Sequence, residues 1–156
     1  MTETIKQLNI VRLINAPREQ VFKAWTEPGL LSKWWGPSGV TNPVCELDLR
    51  VGGKIHIVML AGDELGDLAG SEWPMTGIFQ EITPPLKLVY TSSAIIDGKP
   101  ILDTLNTLTL EDLKGKTKMT FNIVVTRITP EASGPLSGME IGWNQSIDKL
   151  VKQVEN

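Results

Sequence analysis

The chain has 156 residues, 41% of them apolar, with a net charge of −3 and a pI near 5.2, which suits one domain over residues 1–156 with a real hydrophobic core. Its basic residues are scattered singly, no apolar run nears the roughly 18–20 residues of a membrane span, and the opening MTETIKQLN lacks a secretory core; neither nucleic-acid binding nor membrane insertion is expected, and a cytoplasmic location is. A lone Cys45 excludes an internal disulfide, and with a single His56 no cluster has metal-ligand spacing, so no metal or other cofactor is expected.

Ile5 to Ile14 carries apolar residues on both parities, as a largely covered strand does, and Ala16-Pro17 ends it. Pro17 suits a first helical position, after which Val21, Phe22 and Trp25 form one apolar stripe. The pattern repeats from Pro28 through Leu30, Leu31, Trp34 and Trp35 to the stop at Gly36-Pro37. Two short tandem helices therefore carry three of the five tryptophans, and such large apolar surfaces need a concave partner.

From Val40 the period becomes two. Leu47, Leu49 and Val51 alternate with Glu46, Asp48 and Arg50, and after the Gly52-Gly53 turn Ile55, Ile57 and Met59 alternate with Lys54, His56 and Val58. Residues 61–74, acidic and glycine-rich without period, read as a long mobile connection. Strands follow at Met75–Ile82 and Lys87–Ser92 about a Pro84-Pro85 turn. A second loop over 92–102 then leads to strands at Asp103–Leu110 and Thr117–Thr126, joined across Lys114-Gly115, for seven strands in all.

Gly134-Pro135 opens a last helix of about five turns, with Met139, Trp143, Ile147, Leu150, Val151 and Val154 at helical spacing. Gly138 and Gly142, each costing about 1 kcal/mol of helix propensity, predict a close backbone approach. Strand, two helices, six strands and a long helix make an α+β order, in which an antiparallel sheet curls around the last helix.

This order, with the segments RLINAPREQVFKAWTEPGLLSKWWGP, DLRVGG, MTGIFQEITPPLKLVYT and GWNQSIDKL, resembles the activator of heat-shock-protein-90 ATPase homologue-like family of the START and birch-pollen-allergen-like (SRPBCC) superfamily. The resemblance runs from about Leu8 to Leu150. It implies a helix-grip fold: a seven-stranded curved antiparallel sheet wrapped around the C-terminal helix, with an apolar cavity between them. Superfamily relatives include lipid carriers, hormone receptors and polyketide cyclases. The co-chaperones that name the family carry a separate N-terminal chaperone-binding domain, whereas this chain opens at the first strand, so a chaperone partner ranks last among the expectations.

If Leu47, Leu49, Ile55, Ile57 and Met59 face inward, then Asp48, Arg50, Lys54 and His56 face solvent, and Asp48, Arg50 and His56 read as a cross-strand polar network rather than an acid/base set. With Leu108 and Leu110 inward, Thr104, Asn106 and Tyr90 are the inner polar groups, able either to orient a ligand or to satisfy one another. Met139 and Trp143 are expected to reach Phe79, Phe121 and Ile123, as packed core or as ligand wall. Met59, Met75, Met119 and Met139 add adaptable surface.

Residues 134–138 read G-P-L-S-G, not a nucleophile elbow; V-G-G-K at 51–54 is not a phosphate loop; and Cys45 shares the parity of Leu47, so no catalytic residue is nominated. The leading expectation is a module that binds a small apolar or aromatic molecule between sheet and last helix. Trp35, Ile55, Ile57, Met59, Met75, Phe79, Tyr90, Asn106, Leu108, Phe121, Met139 and Trp143 line that site, and the loops at 61–74 and 92–102 gate it. The alternatives are a cyclase or dehydratase using Tyr90 and Asn106, and a protein-binding domain using Leu65, Leu68 and Trp73.

Overall fold

A computed structural model describes residues 7–132 and 138–155; Ile5 and the Gly134-Pro135 helix start lie outside them. Strand β1 (Gln7–Ile14) buries Leu8, Ile10 and Ile14 on one face. Pro17 stands at the N-cap of α1 (Arg18–Thr26), so the helix starts one residue later than the sequence suggested, and Val21, Phe22, Ala24 and Trp25 turn inward. Glu27 is extended, as a residue before proline prefers, and Pro28 opens α2 (Pro28–Trp34), which buries Leu31 and Trp34. Pro28 has no N–H to offer the Ala24 carbonyl four residues earlier. The Trp34 indole supplies the missing donor instead, Nε1 to Ala24 O at 2.9 Å.

The remaining strands are β2 (Val40–Leu47), β3 (Lys54–Ala61), β4 (Glu72–Thr83), β5 (Lys87–Ile96), β6 (Lys99–Leu113) and β7 (Lys116–Ile128). They form one antiparallel sheet in the order β1-β7-β6-β5-β4-β3-β2, curved as a helix-grip sheet is, so the first strand closes onto the last. Irregularities in register at Thr41/Val44, Phe79/Glu81, Ala94/Ile95 and Asp103/Thr104 supply local bends that such curvature requires.

Three connections differ from the sequence reading. The loop expected over 92–102 is two long strands meeting at Asp97-Gly98, with φ of 52° and 76°, the left-handed pair of a two-residue hairpin. Residues 61–74 are shorter as a connection and partly ordered, with a 3-10 segment at Asp63–Leu68 and β4 already begun at Glu72. Strand β2 stops at Leu47. Beyond it the backbone turns on itself through Arg50 N to Asp48 O and Gly53 N to Arg50 O, both 2.8 Å, so Leu49 and Val51 are exposed rather than inward.

Helix α3 (Met139–Glu155) buries Met139, Ile147, Leu150 and Val154, and polar stripes on either side of this face tie it down. On one side Arg12 of β1 donates to Asp148 Oδ1 at 2.7 Å and Asn144 Oδ1 at 2.9 Å. On the other, Gln145 accepts from Ser38 N, while Lys149 and Gln153 donate to the carbonyls of Pro37 and Leu30. Residues 145, 149 and 153 recur every four positions, so one helix edge is laced to the α2–β2 segment. Gly142 does not mark a close approach: among the described residues the nearest neighbour of an added methyl is Pro37 Cβ at 3.8 Å, an ordinary contact.

Candidate functional site

The sheet, α1, α2 and α3 converge on an aromatic cluster. Trp25 lies edge-on to Trp34 with ring centroids 4.7 Å apart and touches Phe121 at 4.8 Å. Trp143 reaches in from α3 to Phe121 at 4.7 Å, to Trp35 at 5.1 Å and to Trp25 at 6.3 Å. Tyr90 lies parallel to Phe121 from the far side at 6.5 Å. Four of the five tryptophans thus share one interior, because two short helices with apolar stripes were folded over a single concave sheet.

Beside this cluster lies a pocket walled by Trp25, Leu31 and Trp35 of the α1–α2 segment and by Ile55, Ile57, Met75, Phe79, Leu88 and Tyr90 of strands β3 to β5. Its free volume is about 10 Å³, the room of roughly one water, and nowhere near that of a drug-sized ligand. The position differs from the sequence reading. The gap sits under α1 and α2 against β3 to β5, and none of its lining residues comes from α3.

The other nominated residues lie around that pocket without bordering it. Phe121 and Leu108, fully buried and paired across β6 and β7, are core beneath the tryptophans. Met139 is buried at the start of α3, Trp143 is half-buried, and Met59 is half-buried at the Gly36 end of α2. Trp25, Leu31 and Leu88 border the pocket and were not nominated. Trp25 and Leu31 were visible as apolar helix positions, and the tandem prolines that aim both helices at the same sheet face were the signal available.

The inner polar groups divide into two kinds. Asn106 donates to Tyr90 O at 3.2 Å and to Ser92 Oγ at 3.3 Å; Thr104 donates to Asn106 Oδ1 at 3.1 Å; and the Ser92 and Thr104 hydroxyls share a hydrogen bond. With Ser92 donating to Thr104 the ring closes and every donor in it is committed. The Tyr90 hydroxyl and the Trp25 Nε1, in contrast, are buried and without a hydrogen-bond partner among the described residues. Burial also pushes the Tyr90 phenol far above its ordinary pKa, so it stays protonated and acts as a donor, never as a base.

On the outer surface the expected trio separates into two pairs: His56 faces Glu46 across β2 and β3 at 3.3 Å, and Arg50 pairs with Asp48 inside the turn at 2.7 Å. Both pairs are exposed. Cys45 is half-buried with its thiol pushed up to about 11 by desolvation, which leaves almost no thiolate at neutral pH. Among the described residues no group of three His, Cys, Asp or Glu side chains could hold a metal ion, and no helix is long and apolar enough to cross a membrane.

No curated protein matches the chain significantly. Solved structures do: protein CV1439 from Chromobacterium violaceum is 29% identical with a TM-score of 0.79, over 96% of this chain and 97% of its own. Protein NE0264 from Nitrosomonas europaea is 26% identical with a TM-score of 0.71, over 94% and 92%. A protein from Arthrobacter aurescens is 25% identical with a TM-score of 0.78, over 93% and 83%. The sequence model described as activator of Hsp90 ATPase homolog 1-like protein matches residues 15–155, from the end of β1 through α3, and so takes in every element that walls the pocket. By that match, with the helix-grip topology beneath it, the chain belongs to the activator of Hsp90 ATPase homolog 1-like family.

Proposed function

We propose that the protein takes up a small, largely apolar or aromatic molecule between the α1–α2 segment and strands β3 to β5. The observation that carries this reading is that two residues lining one apolar pocket, Tyr90 and Trp25, each carry a buried donor, the hydroxyl and Nε1, without a partner among the described residues. A buried donor without a partner costs about 1–3 kcal/mol, and two on residues of the same wall are a standing cost that a ligand would relieve. The free volume of about 10 Å³ requires the wall to move for uptake.

The test uses the neutral fluorophore N-phenyl-1-naphthylamine. Saturable, single-site enhancement with a matching rise in Tm is expected, and saturating dye with no thermal shift would end the proposal. Tyr90→Phe provides an internal check: without the unpaired hydroxyl the ligand-free protein gains about 1 kcal/mol in urea unfolding. A loss of that size would mean the hydroxyl already has a partner.

A further inference from the structure

Resting on the uptake reading above, we infer that the pocket selects a neutral molecule bearing a hydrogen-bond acceptor, such as a ketone or ester oxygen on an aromatic body, over both its hydrocarbon isostere and its carboxylate. Two residues of the wall, Trp25 and Tyr90, carry buried polar atoms without a partner among the described residues, and the chemistry of those atoms is asymmetric. An indole N–H can only donate, so whatever answers Trp25 must be an acceptor. The Tyr90 hydroxyl has its own proton to place, and a carbonyl oxygen has two lone pairs.

The surroundings narrow the choice further. Apart from Trp25 and Tyr90, every residue of the wall is an aliphatic, methionine or aromatic side chain, and none of them is among the buried groups left without a partner. No cation borders the space, so a carboxylate would be buried with neutral donors alone, and desolvating it costs more than they return. The neighbouring ring of Ser92, Thr104 and Asn106 is committed internally and contributes no further donor. A hydrocarbon fits the apolar wall and leaves both donors as they were.

The experiment compares three probes of one shape on the full chain by calorimetry: 2-acetylnaphthalene, 2-isopropenylnaphthalene, in which CH₂ replaces the carbonyl oxygen, and 2-naphthoate. The ketone is expected to bind about tenfold more tightly than the alkene, the gain of two buried hydrogen bonds that would otherwise go unmade, and the carboxylate not to saturate. In Tyr90→Phe the ketone's advantage shrinks several-fold while the alkene's affinity stays within about twofold. Equal binding of ketone and alkene to the unaltered protein would overturn this inference and leave the uptake reading standing. Failure of all three probes would remove both, and a ketone preference unchanged in Tyr90→Phe would overturn the role given to Tyr90.

Discussion

Trp34→Ala is expected to cost about 3–5 kcal/mol in urea unfolding, with Tm falling by roughly 10 °C. Trp34 is fully buried, and its ring centroid lies 4.7 Å from that of Trp25 and 5.9 Å from that of Trp35, so truncation opens a void at the centre of the aromatic cluster. A second loss comes from the backbone. Its indole is the donor that stands in for Pro28 at the Ala24 carbonyl, and removing it leaves a buried acceptor unpaired at the joint between α1 and α2. Trp34→Phe separates the two effects: it keeps most of the packing and forfeits the hydrogen bond, so it should cost about 1–3 kcal/mol. If Trp34→Ala stayed within about 1 kcal/mol of the unaltered protein, the interior would not be organised around that side chain.

The uneven legibility of the fold has the same source as these energetics. Strands β6 and β7 pair in register over most of their length, so period two identified Thr104, Asn106, Leu108 and Leu110 as one face, and the ladder sets Leu108 opposite Phe121 and Leu110 opposite Met119. Where alternation continued without a ladder it misled: Leu49 and Val51 keep the rhythm of Leu47, yet the chain has already turned back on Asp48 and Arg50. Asp97-Gly98 carried the strongest two-residue hairpin signal in the sequence, and Ile95-Ile96 with Ile101-Leu102 on either side were strand rather than loop. The position of the pocket was not legible, because periodicity tells which face of an element is apolar and not where facing volumes fail to fill. Trp25 and Leu31 were readable as core, and only the packed arrangement of α1 and α2 makes them a wall.

The glycine in the middle of β4 gives the second large effect. Gly77→Ala is expected to cost about 3 kcal/mol and to abolish dye uptake together with the stability. A methyl at Gly77 would overlap the Thr91 carbonyl oxygen and come within 3.1 Å of Thr91 C and 3.4 Å of Ser92 Cα, and backbone of a central strand cannot yield as a side-chain tip can. The ladder shifts register just beyond this point, at Phe79/Glu81, and the Ile78 amide is bonded to the Thr91 side chain, Ile78 N to Oγ1 at 3.2 Å. Relieving the overlap pushes β4 off β5, and the residues two positions away on the same face are Met75 and Phe79, both in the pocket wall. Gly98→Ala makes the comparison: its surroundings are open and its penalty is the left-handed backbone alone, about 1 kcal/mol. A Gly77→Ala protein as stable as Gly98→Ala would mean that β4 and β5 can separate at this point without loss, and the site would then owe nothing to their close approach.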